Sequence, residues 1–186
     1  MNDSPDVIVY HAPDGSERRS RLRQYQVQLM DRMQAAKVGA IGAGKELGVM
    51  LGRHRCLLSL TQVGEIVPVG AISPVPLARD WYLGLSNIRG HLTGIVDLAR
   101  YRGEAPGATG PDSRVITFAP GLGFNCAMLA SGVLGLRQLD QMTALAPEPD
   151  APAWSAQSFR DADGEQWRRI DLAQLVLETG FLHVGF

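Results

Sequence analysis

The stretch Gly39-Ala40-Ile41-Gly42-Ala43-Gly44-Lys45 has the spacing with which a glycine-rich loop and one lysine can cradle a polyphosphate. Such a loop continues with Ser or Thr, whose hydroxyl holds Mg²⁺, whereas here Glu46 follows and would repel a phosphate. The context is also inverted, with a helical pattern before the glycines and a strand pattern after them. We expect a glycine connector, with nucleotide binding as the alternative. The four histidines, His11, His54, His91 and His183, have no metal-ligand spacing, and there is no HExxH or CxxC. Cys56 and Cys126 each sit in an apolar, strand-like run with no neighbouring histidine, as buried thiols in a reducing compartment would. Asp161, Asp163 and Glu165 supply too few oxygens at loop spacing for calcium and suit an exposed hairpin tip. Trp81, Trp154 and Trp167 are too scattered for a base-stacking platform. The expectation is no catalytic residue, no cofactor and no metal.

The distinctive polar residues lie between Leu60 and Leu98. Glu65 sits beside Val63 and Ile66 at the mouth of a strand, Arg89 occupies a tight turn with Gly90, and Asp97 ends the strand after that turn. A carboxylate and a guanidinium amid apolar strands have two readings. They are a structural ion pair fixing the turn, or part of a surface that meets a partner.

These residues must be positioned by short strands. The 186 residues are 45% hydrophobic and 20% charged, an ordinary globular composition for one domain or two small subdomains sharing a core. A net charge of −1 gives no field that would draw nucleic acid or an acidic membrane. Met1 to Tyr10 carries no signal pattern, and no apolar run approaches the ~20 residues of a spanning helix, so a cytoplasmic location without membrane insertion is expected. A lead-in to Ser16 precedes a helix predicted over Glu17 to Lys37, with Leu22, Tyr25, Leu29, Met33 and Ala36 in one stripe. Strands are predicted at Leu47–Leu51, Cys56–Leu60, Ile66–Val69, Tyr82–Ile88 and Leu92–Leu98. Others follow at Arg114–Ala119, Phe124–Leu129, Val133–Leu136, Trp154–Phe159 and Gln166–Ile170, with a short helix closing at Asp171–Glu178. Short strands with glycine turns argue for barrels or a sandwich. The expected organisation is a lead and helix over 1–44, a mainly β domain over 45–178 and a tail over 179–186.

The ordered set of Val63, Glu65, Ile66, Pro76, Gly84, Asn87-Ile88-Arg89-Gly90 and Val96-Asp97-Leu98 resembles the chemotaxis coupling family, the CheW-like domains. Arg114–Phe118 with Asn125–Leu136 resembles that family's second-subdomain hairpin, and Gln166–Val176 its closing strand and helix. The resemblance covers Leu47 to Val176, and Gly180–Phe186 has no counterpart in it. The Ser73-Pro74-Val75-Pro76 loop and the long helix look more like the type IV pilus, PilI-like branch. The resemblance implies two small five-stranded SH3-like β-barrels around a shared core, with an N-terminal helix and a short C-terminal helix. It implies a non-catalytic adaptor between the cytoplasmic tip of a methyl-accepting chemoreceptor and the regulatory domain of a CheA-like histidine kinase, in a pathway controlling twitching motility. The partner-binding positions it implies are Val63, Glu65 and Arg89, Asn87 and Gly90 as the turn presenting Arg89, and Val133. The competing reading is a plain β-barrel module for RNA or a small ligand.

Overall fold

The computed structural model describes residues 44–186, so the predicted helix at 17–37 and the glycines before Gly44 lie outside the described residues. Strands β1 (Lys45–Leu51) and β2 (His54–Ser59) form a hairpin whose turn is only Gly52-Arg53. The predicted strands left Gly52 to Arg55 between them; the turn is shorter because Gly52 takes a φ of 60°, which lets His54 pair directly with Leu51. Then come β3 (Val63–Pro68), β4 (Tyr82–Ile88), β5 (His91–Val96) and helix α1 (Leu98–Tyr101). Strands β6 (Arg114–Phe118), β7 (Cys126–Ala130), β8 (Gly132–Gln138) and β9 (Thr143–Ala144) follow. The chain closes with β10 (Ser158–Arg160), β11 (Gln166–Ile170), α2 (Leu172–Leu175) and α3 (Thr179–Leu182).

The fold is mainly β, as expected, in two sheets. One is five-stranded in the order β3-β6-β7-β5-β4, and the other six-stranded in the order β8-β1-β2-β11-β10-β9. Two five-stranded units were expected; the additional strand is the two-residue β9, paired on β10. The ends of the five-stranded sheet are drawn together beyond β3, where Ser73 and Leu85 exchange two backbone hydrogen bonds of 2.8 Å. The hairpin assigned to the second subdomain is divided. Strands β6 and β7 belong with β3–β5, and only β8 crosses to the other sheet, where it pairs with β1. The physical reason is burial: Val115, Ile116, Cys126, Ala127 and Met128 are all buried, so β6 and β7 need cover on both faces.

One joint occurs twice. After β5, Asp97 caps α1 by accepting from the N–H groups of Ala99 at 2.9 Å and Arg100 at 3.2 Å. After β11, Asp171 caps α2 in the same way, from Ala173 at 3.0 Å and Gln174 at 3.2 Å. Each aspartate donates its own N–H to a tryptophan carbonyl at 2.8 Å, Trp81 for Asp97 and Trp154 for Asp171. The strand predicted to reach Leu98 therefore stops at Val96, because Asp97 turns the chain into a helix. The strand predicted from Trp154 begins instead with a 3₁₀ turn at Ala153–Ser155 that sends the Trp154 ring into the core.

The larger apolar core joins the sheets: Leu47, Val49, Cys56 and Leu58 pack with Val96, Ile116, Phe118 and Met128. A smaller one, of Ile95, Val115 and Ala127, lies within the five-stranded sheet. The segment expected to be a tail supplies part of it. Phe181 is 1% exposed, stacks on Trp81 at 5.4 Å and lies 6.4 Å from Phe118. Behind it, the N–H of Arg79 donates to the Val184 carbonyl and the N–H of Phe186 to the Leu77 carbonyl. Among the described residues no helix is long and apolar enough to cross a membrane. Removing the buried ring should be costly: Phe181→Ala is expected to destabilise the domain by about 3–5 kcal/mol, read as a lowered midpoint in urea unfolding.

Candidate functional site

Strands β4 and β5 meet in a two-residue turn, Arg89-Gly90, with Ile88 opposite His91. Both turn residues are left-handed, Arg89 at φ 50° and Gly90 at φ 88°, the form that matches the twist of a hairpin. Glycine adopts it freely, but arginine does so at a cost. The Asn87 side chain offsets part of that cost, since its Oδ1 accepts from the Gly90 N–H at 2.8 Å. The expected turn is thus present, with Asn87 as its clamp and Arg89 at its tip.

Arg89 reaches back across the gap between β4 and β3, and its Nε donates to Glu65 Oε2 at 2.9 Å. The Arg89 side chain is 74% exposed and that of Glu65 44%. This is an ion pair, and it stands on the surface, where such pairs contribute only about 0–1 kcal/mol to stability. Exposed Ile66 and Leu92 stand on the strands around it. A cleft of about 460 Å³ opens on one side, lined by Glu65, Ile88, Arg89, His91, Phe118 and Phe124. A smaller one of about 180 Å³ lies beyond Arg89, between Val67, Pro68, Ser86 and Asn87. Charge, apolar surface and concavity meet at this turn.

Val63 and Val133 stand differently. Val63 is half-buried opposite Phe118 and packs on the core, so it supports the face from behind. Val133 is partly exposed on β8, in the other sheet and opposite Val49, and lines neither cleft. Asp97, the third polar residue of that stretch, is buried as a helix cap. The sequence reading did not single out Leu92, Phe124, Asn125 or Thr117. Leu92 was hidden by its apolar neighbours. Asn125 joins the face through space, its Nδ2 donating to the Leu92 carbonyl at 2.7 Å, 33 residues away.

The other reactive groups of the sequence stand in structural settings. Lys45 opens a strand, not the helix a phosphate loop requires, and buried Glu46 accepts from Arg169 Nη2 at 2.9 Å. Asp161 organises its turn by accepting from the N–H groups of Asp163 at 3.0 Å and Glu165 at 2.9 Å. The Trp167 indole N–H, donating at 2.8 Å, leads the contacts that hold the Asp161 carboxyl below its usual range. Among the described residues no group of three or more His, Cys, Asp or Glu could hold a metal ion. Burial pushes both the Cys56 and Cys126 thiols up to about 12, so each stays protonated and unreactive at neutral pH.

Comparison with known proteins agrees with this architecture. The model of the CheW-like domain matches residues 46–179. The chain belongs to the CheW-like domain family. Protein FrzA of Myxococcus xanthus is 27% identical over 104 residues, which cover 55% of this chain and 64% of FrzA. The match therefore spans less than two thirds of that relative. The crystal structure of the scaffolding protein TtCheW from Thermoanaerobacter tengcongensis superposes with a TM-score of 0.61 at 21% identity. It covers 74% of this chain and 94% of that one, a likeness of fold.

The buried thiols generate a test. A raised thiol pKa means that the folded state holds its protons more tightly than the unfolded one. That contribution to stability is complete below 9.0, the ordinary value, and is lost as pH rises towards about 12. Unfolding midpoints are therefore expected to fall with pH above 9.0, and iodoacetamide at pH 8 to label Cys56 and Cys126 only after denaturation.

Proposed function

We propose that this CheW-like chain is a non-catalytic adaptor, coupling the cytoplasmic tip of a methyl-accepting chemoreceptor to the regulatory domain of a CheA-like histidine kinase. The observation that carries the reading is the exposed Glu65–Arg89 pair on a clamped turn between two clefts, bordered by exposed Ile66 and Leu92. Such a face supplies what a helical or barrel-shaped partner needs. It has apolar contact area for affinity and one charge of each sign for register. Val63, Asn87 and Gly90 hold the face in shape, and Val133 on the other sheet is a second, separate contact. In this reading the receptor tip lays a helix along the cleft beside Arg89, and the kinase domain packs at the end of the same sheet. Signal passes as a shift in kinase populations biased by differential contacts, with no reaction in the adaptor itself.

The adaptor works in the cytoplasm and reaches the membrane only through its partners. Its pathway is the control of type IV pilus twitching motility, a branch supported by the Ser73-Pro74-Val75-Pro76 loop. A phosphate-reading module is disfavoured by the site itself, because the one guanidinium at the turn is neutralised by Glu65.

The test separates binding from folding. Arg89→Ala and Glu65→Ala should each weaken binding to a soluble receptor-tip fragment or to the isolated kinase regulatory domain by about tenfold in titration calorimetry. Because the pair is exposed, each should move the melting temperature by less than about 4 °C. Unchanged binding to both probes, or an Arg89→Ala variant that unfolds, would remove the interface from the turn.

A further inference from the structure

The Glu65 carboxylate that meets Arg89 stands on an irregularity in its strand. Val63 pairs with Phe118 and Ile66 with Ile116, so Gly64 and Glu65 together face the single residue Thr117. Two residues against one is a bulge, and it removes one backbone partner from the ladder. The Glu65 N–H finds its partner in a side chain instead, donating to Thr117 Oγ1 at 2.7 Å. The hydroxyl's own proton is directed at the Glu65 carbonyl, 3.5 Å away. Gly64 admits this hydroxyl. A Cβ at that position would lie 2.5 Å from Thr117 Oγ1 and 3.1 Å from the Phe118 carbonyl oxygen.

The consequence is directional. Holding the Glu65 N–H restrains the backbone torsions that aim its Cα–Cβ bond, and a bulge is a device for re-aiming a side chain. Threonine suits the task because two heavy atoms on its Cβ leave χ1 few choices. The aim matters because β3 and β4 are the two ends of their sheet order, with no strand ladder between them to fix Glu65 against Arg89.

We propose that Thr117 is a positioning residue of the docking face: its hydroxyl, admitted by Gly64, holds the bulged backbone so that Glu65 pairs with Arg89 and a partner meets the two charges in one fixed arrangement. This rests on the docking reading above and adds to it the residue that sets the face. Thr117 itself need not touch the partner.

Two measurements on the full chain test it. The first needs no partner. In the ¹⁵N-labelled protein at mildly acidic pH, the Arg89 Nε–H resonance is assigned by its loss in Arg89→Lys. Thr117→Val removes the hydroxyl at constant size and should move that resonance towards its position in Glu65→Gln. Thr117→Ser keeps the hydroxyl and should leave it in place. If Thr117→Val does not fold, Thr117→Ala carries the same expectation. The second measurement is binding to the receptor-tip fragment. Thr117→Val should weaken it about two- to fivefold, the range an exposed ion pair commands. Thr117→Ser should restore it, and Thr117→Val added to Glu65→Gln should cost nothing more. An unmoved resonance in the variant lacking the hydroxyl overturns the inference. A moved resonance with full binding in both Thr117→Val and Glu65→Gln overturns the docking reading, and with it any role of Thr117 at an interface.

Discussion

The two sheets of this domain each lay an apolar face on the same core, and that constraint organises the rest of the fold. The strands run from two to seven residues, so each sheet offers a narrow apolar strip. The chain meets the constraint by sharing the larger core, while the five-stranded sheet encloses a smaller one of its own. It starts in the six-stranded sheet, leaves for the five consecutive strands β3 to β7, and returns to complete the first. Gln62 sits at the point of departure. Its side chain donates to Asp171 Oδ1 at 2.9 Å and accepts from the Leu172 N–H at 2.8 Å, tying the outgoing chain to the returning one. With a common core and such ties, the two sheets are braced against each other.

The same economy explains the doubled joint at Asp97 and Asp171. A strand that ends against the core has to finish without leaving open hydrogen-bonding groups inside the protein. In both places an aspartate satisfies two N–H groups of the following helix with its carboxylate and sends its own N–H to a tryptophan carbonyl. The helices then drop Leu98 and Leu172 into the core. An aspartate that reads as a lone charge at a strand end is thereby a folding element, distinct from the charges at the Arg89 turn.

At that turn the balance is different. The left-handed Arg89 costs conformational energy, the exposed ion pair returns little, and the exposed Ile66 and Leu92 bury only part of their surface in the folded monomer. Features that stabilise the domain poorly while being held in defined geometry are what recognition uses. The clamp from Asn87 and the bulge filled by Thr117 give that geometry to the two charges from opposite sides.

The amino-acid sequence alone determined the mainly β character, the position of most strands and the place of the Arg89-Gly90 turn. Each of these rests on residues a few positions apart: short apolar runs bounded by turn residues, and a glycine tolerating positive φ. Only the tertiary structure decided which strands share a sheet, that Phe181 belongs to the core, and that Thr117 stands against Glu65, 52 residues away. Strand order is chosen by how distant apolar faces cover one another, so no local pattern around Arg114–Phe118 separates one sheet from the other. Likewise, a hydroxyl that fills a gap in a neighbouring strand leaves no mark in its own segment, because the need it meets arises where the chain has been brought back from elsewhere.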